Sequence, residues 1–528
     1  MEVQLNFDEG VASVQKTNAT SLESVFTQLL NFQIKGNSTQ IKLEDWDNSP
    51  YHPVPTIIEA AELLYAGHDV REIAHASADS GNLAKTTDRI IEIIQDSQQN
   101  NKRSICFVTG IPGSGKTLIG LNAIHDPRFR TEGRNSGAFL SGNTPLVNVL
   151  REALARDEAK RNDEPIGQIR QTVRAEIQLL MNYLKEYISE HPNHQPHENV
   201  IVFDEAQRAW DEDYGREKFD REASEPELFL EIMGRKEWSV IIALVGEGQE
   251  INRGEKGLSE WGKALTKFGE SNLNEPWEIY GAPQIFFEGQ ENVGQTLFSD
   301  DVKYKGRIDR DVRLHLSISI RSYNCKAIVS WVNSVIDGNA TQALQMVNTV
   351  ENFPIFITRS LERARKWLRH KERGNRRVGL VASSGARRLI ADGLGVSLSA
   401  QELNAVKHWY LQPSGDIRSS CALEITANEY TCQGLELDYI GMCWGGDMLW
   451  AKDENHWRFR KLTGNAWNNV NNLELQNHVR NTYRVLLTRA RLGMIIWIPE
   501  GNEEDPTRNP EELHQTAEFL IDSGLVLI

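Results

Sequence analysis

The chain reads as an α/β protein: parallel sheets flanked by helices, built as two successive domains behind a small, mainly helical N-terminal one. Three observations carry this. Apolar, β-branched runs recur at Ile105–Val108, Val200–Phe203 and Val240–Val245, each passing into polar turn residues and then helix-compatible sequence. A glycine-rich loop separates the first run from its helix. Two further runs, Tyr439–Met442 and Met494–Ile498, repeat the pattern near the C-terminus.

The loop is the most specific feature. Residues 110–117 read Gly-Ile-Pro-Gly-Ser-Gly-Lys-Thr, a complete G-x-x-x-x-G-K-[ST] phosphate loop lying between a buried strand and a helix. Glycines let backbone N–H groups curl round a phosphate, and the helix N-terminus adds positive potential. A nucleoside triphosphate with Mg²⁺ is therefore expected, cradled by Gly110, Pro112, Gly113, Ser114, Gly115, Lys116, Thr117 and Leu118. Lys116 would reach the β- and γ-phosphates, and the Thr117 hydroxyl would ligate the metal.

The strand at Val200–Phe203 ends in Asp204-Glu205-Ala206-Gln207. In phosphate-loop ATPases a carboxylate there holds Mg²⁺ through water, and the next acidic residue orients or deprotonates the attacking water. Asp204 is the expected metal partner and Glu205 the expected base. An acidic helix cap is the plainer reading of the same residues, since the helix dipole favours it. The strand at Val240–Val245 leads into Gly246-Glu247-Gly248-Gln249-Glu250, where Gln249 suits a γ-phosphate sensor because its amide can bond on two sides. A solvated Gly-rich turn is the alternative there.

Two distant clusters complete the set. Thr431-Cys432-Gln433-Gly434-Leu435-Glu436-Leu437-Asp438 and Tyr483-Arg484-Val485-Leu486-Leu487-Thr488-Arg489-Ala490-Arg491 each precede an apolar strand. A phosphate-loop core needs cations that engage the γ-phosphate as charge develops, and a second domain commonly provides them. Arg489, and Arg321 in Ser319-Ile320-Arg321-Ser322-Tyr323, are the expected fingers.

In this order the motifs resemble those of a superfamily 1 helicase: phosphate loop, Asp-Glu-Ala-Gln, Gly-x-Gly-Gln, Ile-Arg-Ser, Gln-Gly-Leu-Glu-x-Asp and Leu-Thr-Arg-Ala. More narrowly, the chain resembles the bacterial Schlafen-like DNA/RNA helicase family over roughly residues 100–528. The strings Phe139-Leu140-Ser141-Gly142-Asn143, Phe203–Trp210, Gly248–Asn252, Leu258–Trp261, Arg418–Ser420 and Asp505–Arg508 carry that likeness. The resemblance implies two RecA-like domains with ATP in the cleft between them. It also implies that Gln433, Gly434 and Glu436 border the nucleotide, with Glu436 on the ribose or coupling nucleic acid to the cleft. Arg321 and Arg489 would approach the γ-phosphate, and Gln249 would link hydrolysis to a bound strand. One departure stands in the third motif, Gly246-Glu247-Gly248-Gln249, where classical members carry Gly-Asp before the glutamine.

From these anchors the expected domains are 1–95 (helical), 96–295 (first RecA-like, with Walker motifs and the Gln sensor) and 296–528 (second, with arginine fingers and a Trp-rich insert). The Arg151–Glu190 stretch reads as helical, and His191–His197 as a solvated loop rather than a metal set. The Arg359–Arg377 run is an amphipathic helix, with Leu361, Ala364 and Leu368 inside and a basic face that permits, without requiring, nucleic-acid contact. In the insert, Trp444, Trp450, Trp457 and Trp467 read as a small aromatic core, with base stacking as the alternative.

Composition sets outer limits. The net charge of −16 weighs against a broadly basic nucleic-acid binder, although a local basic cluster suffices. No apolar run approaches the roughly 20 residues of a membrane helix, and no secretion signal is visible at the N-terminus. Five scattered cysteines predict neither a disulfide framework nor a zinc site, and fit a reducing cytoplasm. The expected activity is an ATP-dependent motor or remodeller on single-stranded DNA or RNA. The alternatives are a nucleotide-operated protein switch and a defence-system ATPase acting with a separate effector.

Overall fold

The computed structural model describes residues 7–8, 11–12, 55–68, 73, 80–110, 113–126, 128, 130–131, 134–135, 137–219, 221–246, 257–271, 276–286, 296–298, 304–317, 325–350, 353–374, 376–395 and 397–528. Residues 1–51 and 52–528 form two compact units. In the first, Phe7–Asp8 and Val11–Ala12 pair antiparallel; the other residues of this unit lie outside the described residues.

The second unit opens with α1 (Ile57–Tyr65) and α2 (Ser80–Gln99). Thr56 starts α1 with a capping box: its hydroxyl accepts from the Glu59 N–H, and the Glu59 carboxylate accepts from the Thr56 N–H. Next come β1 (Arg103–Gly110), α3 (Lys116–His125), β2 (Gly137–Ser141), α4 (Thr144–Asn162), α5 (Ile166–Glu176) and β3 (Ile177–Leu179). They are followed by β4 (Val200–Asp204), α6 (Glu225–Gly234), β5 (Ser239–Gly246), α7 (Leu258–Ser271), β6 (Glu278–Gly281), β7 (Ile308–Arg310) and β8 (His315–Leu316).

These strands make one parallel sheet ordered β7-β6-β1-β5-β4-β2-β3, with β8 pairing the end of β1. Its central strands are buried on both faces, which is why they read as continuous apolar runs rather than alternating ones. Alternate side chains divide between two cores: Val200, Val202, Ile242 and Leu244 join α3 and α4 on one face, while Ile201, Phe203, Ile241 and Ala243 join α6 and α7 on the other. The helix after the phosphate loop lies flat on the sheet because Gly120 lets it. A Cβ there would stand 2.7 Å from Val202 Cγ1.

The second half supplies α8 (Cys325–Ile336), β9 (Ile355–Thr358), α9 (Leu361–Lys371), β10 (Val378–Ala382), α10 (Leu403–Leu411), β11 (Thr426–Ala427) and β12 (Leu437–Cys443). Then come β13 (Met448–Ala451), β14 (His456–Thr463), β15 (Ala466–Asn469), α11 (Leu473–Leu487), β16 (Ala490–Trp497), α12 (Pro510–Asp522) and β17 (Val526–Leu527). A second all-parallel sheet runs β11-β10-β12-β16-β9-β17, and β13-β14-β15 form an antiparallel three-stranded sheet. The protein thus has two α/β domains of parallel sheet flanked by helices.

Three expectations need correction. The boundary placed at 295/296 falls inside the first sheet, because β7 and β8 pair with its strands; the change of sheet lies between Leu316 and Ile355. The boundary at 95 cuts α2, whose Ile90, Ile91, Ile93 and Ile94 are buried in the core that includes Cys106 and Val108 of β1. The Arg151–Glu190 stretch is not one helix. Pro165 precedes a fresh start, and Ile177–Leu179 leaves helix to become the edge strand beside β2.

Ala364 and Leu368 of α9 are buried and its Arg363, Lys366 and Arg369 exposed, while Arg365, Arg359 and Arg377 are spent on backbone carbonyls of Leu423, Pro499 and Trp409. His191 and His194 stack at 4.9 Å on exposed turns, and among the described residues no three His, Cys, Asp or Glu gather as metal ligands. Trp444, Trp450 and Trp457 are buried, with indole N–H groups of Trp444 and Trp457 donating to Met448 and Val335 carbonyls. They form a small core against Phe519 of α12, so these rings have no free face for base stacking. No helix among the described residues is long and apolar enough to cross a membrane.

Candidate nucleotide site between the sheets

Register brings the expected residues together. Gly110 at the end of β1 pairs with Gly246 at the end of β5, and Ser141 of β2 pairs with Asp204 of β4. The phosphate loop, the Asp204–Gln207 turn and Gly246 therefore share the carboxyl edge of the first sheet, where ligands of parallel α/β sheets bind.

Within the loop, Gly113 (φ +77) and Gly115 (φ +89) take left-handed conformations that other residues rarely adopt. Gly110 cannot carry a side chain, because its Cβ would stand 2.5 Å from Ser114 Oγ and 2.7 Å from Leu316 Cβ. Gly115 caps α3 without a side chain, so the amides of the first turn remain available to an anion. The Ser114 hydroxyl is buried with no hydrogen-bond partner among the described residues. Lys116 Nζ donates to the Gly110 carbonyl at 2.5 Å. Leu118 is packed into the core, which leaves only its backbone to face the loop. Pro112 lies outside the described residues.

Thr117 Oγ1 donates to Asp204 Oδ1 at 3.4 Å. Burial raises the Asp204 carboxyl to about 7, and the neighbouring Glu205 pushes the same way, against the Lys116 ammonium and the Thr117 hydroxyl. Glu205 itself has a left-handed backbone at φ +56, a conformation a non-glycine residue holds only where its surroundings enforce it. The enforcement is visible. The Gln207 amide donates to Glu205 Oε2, its oxygen accepts from the Gly246 N–H at 2.8 Å, and its carbonyl accepts from the Gly257 N–H at 3.1 Å. A Cβ on Gly246 would meet Gln207 Nε2 at 3.1 Å, Glu205 Oε2 at 3.2 Å and Lys116 Cε at 3.6 Å. Gln207 and Gly246 were given no role from sequence, although both stand inside the quoted strings. Gln249 and Arg321 lie outside the described residues.

The second sheet meets this edge with its amino end. Gln433 and Gly434 lead into β12, and Arg489 leads into the adjacent β16; the Leu437 N–H donates to the Arg489 carbonyl at 3.2 Å. Asn143, just beyond β2, donates from Nδ2 to the Gln433 carbonyl at 2.6 Å. Arg489 is 2% exposed, with Nε donating to the Val485 carbonyl at 2.9 Å. Its charge lies near the Cys432 thiol, which burial nonetheless raises to about 12. Glu436, expected at the ribose, has a partner in its own domain: Arg491 Nε stands 3.9 Å from it, and Arg491 Nη1 3.1 Å from Asp438.

A family model, the DNA/RNA helicase domain of Schlafen group 3, matches residues 103–500. Among solved structures, one resemblance is to the DEAD-box helicase Mss116 bound to ssRNA and UDP-BeF, at 10% identity and a TM-score of 0.28, covering 79% of this chain and 70% of that one. That likeness is too loose to carry residue roles across. No curated protein matches. The matched span takes in the first parallel sheet and the second as far as the end of β16, together with the phosphate loop, the Asp204–Gln207 turn and Arg489. The chain belongs to the Schlafen group 3 DNA/RNA helicase domain family.

Proposed function

We propose that this protein is a superfamily 1-type, ATP-hydrolysing motor or remodeller of single-stranded DNA or RNA, with the triphosphate held where the two sheets meet. One observation carries the reading: the Lys116, Thr117, Asp204 and Glu205 cluster at the carboxyl edge of one sheet is joined by the Asn143–Gln433 bond to the sheet edge that bears Arg489.

Loop amides and Lys116 bind the β- and γ-phosphates. Glu205, aimed by Gln207, holds the attacking water and accepts its proton. Arg489 meets charge developing on the γ-phosphate. A hydroxyl and a carboxylate side by side, Thr117 and Asp204, suit Mg²⁺, which takes oxygen ligands and keeps waters and substrate phosphates as the rest. When bound, the metal would neutralise part of the charge on the triphosphate. Gln249 and Arg321 keep their expected roles as sensor and second finger, and Glu436 its role beside the nucleotide or strand. A cytoplasmic location belongs to the same reading.

The test is ATP turnover with and without single-stranded DNA and RNA, beside Lys116→Ala. Strand-stimulated turnover abolished by that substitution supports a motor. Strand-insensitive turnover would instead favour a nucleotide-operated switch working with a protein partner.

A further inference from the structure

Asn143 stands at a joint that the phosphate loop does not explain. It follows Ser141, the register partner of Asp204, and caps α4: its Oδ1 accepts from the Leu146 N–H at 3.2 Å. The other end of the same amide donates to the Gln433 carbonyl at 2.6 Å. One side chain therefore closes a turn in the first domain and holds the segment before β12 in the second.

Gly434 makes that approach possible. It sits at φ +74, and a Cβ there would lie 3.0 Å from Leu146 Cδ2 and 3.4 Å from Asn143 Nδ2. Gln433 is 4% exposed, and its side-chain nitrogen has no hydrogen-bond partner among the described residues. A buried donor of that kind is costly unless something at the joint accepts from it. The segment is in turn tied to Arg489 by the Leu437 N–H to Arg489 carbonyl bond.

We propose that Asn143 is a positioning residue for ATP hydrolysis: it holds Gln433 and Gly434, and through them Arg489, in place against the phosphate loop. This rests on the functional reading above. The bond fixes the second domain where the γ-phosphate acquires charge, so its loss falls on kcat rather than on ATP binding.

Asn143→Ser and Asn143→Asp separate the latch from the cap: both cap helices about as well as Asn, but the Asp carboxylate has no donor, and the Ser hydroxyl, one bond shorter, falls short of the carbonyl that Asn143 Nδ2 meets at 2.6 Å. Both variants should stay folded, with the melting temperature lowered by a few degrees at most, and keep a KM for ATP within about twofold, with kcat down about tenfold. Wild-type kcat in both, or a raised KM with unchanged kcat, overturns the inference while leaving ATP hydrolysis intact. A wild-type protein that hydrolyses no ATP, with or without strands, overturns the functional reading and this inference with it.

Discussion

The Leu437 N–H donates to the Arg489 carbonyl at 3.2 Å, which places the Gln433–Glu436 segment and the arginine at one edge of the second sheet. Asn143 of the first domain reaches the same segment, which joins the Arg489-bearing edge of the second sheet to the domain that carries the phosphate loop. The proposed function sets Arg489 and Lys116 on opposite walls of one joint. The account depends on that opposition.

Glu205 is expected to be indispensable to turnover and dispensable for binding. Glu205→Gln keeps the shape and can still bond Gln207, but cannot take a proton. Phosphate release should fall about 10²-fold or more, while ATP retention measured by equilibrium dialysis persists. Turnover near wild type would remove Glu205 as the base.

The Trp-rich hairpins are expected to matter for stability. Trp457 is buried against Trp444, Trp450 and Phe519, so Trp457→Ala should lower unfolding free energy by about 3–5 kcal/mol in denaturant titration. Single-strand affinity per folded molecule should not change in Trp457→Phe. An unshifted unfolding midpoint for the alanine variant would contradict the buried-core role.

Glu62 of α1 gives the fold a pH dependence. Burial, with help from Asp157 and Glu59 and against Arg161, raises its carboxyl from 4.5 to about 7. The folded state favours the protonated form, so its contribution is complete below about pH 4.5 and lost as pH rises through 7. Glu62→Gln should therefore stabilise the protein at pH 8, by up to about 1 kcal/mol after allowing for solvent screening, and do nothing at pH 4.5. Equal stabilisation at both pH values would contradict this origin.

Much of the first domain was legible because strands buried on both faces leave unmistakable apolar runs, as in Val200–Phe203 and Val240–Val245. The phosphate loop was legible because its glycines answer a backbone demand, φ +77 at Gly113 and φ +89 at Gly115. Short edge strands were not. Ile177–Leu179, Ile308–Arg310 and His315–Leu316 are too brief to show a period and become strands only by pairing with longer neighbours. Gln207 and Asn143 were invisible for another reason. Their roles are hydrogen bonds to residues far along the chain, Gly246 and Gln433, and no local pattern records such a partner.

The most direct measurement is steady-state and nucleotide-binding analysis of Arg489→Ala. If both walls act on one triphosphate, ATP affinity stays close to wild type while kcat falls by about 10³-fold or more. Wild-type kcat in that variant would contradict the account, leaving a nucleotide-binding first domain whose neighbour takes no part in the chemistry.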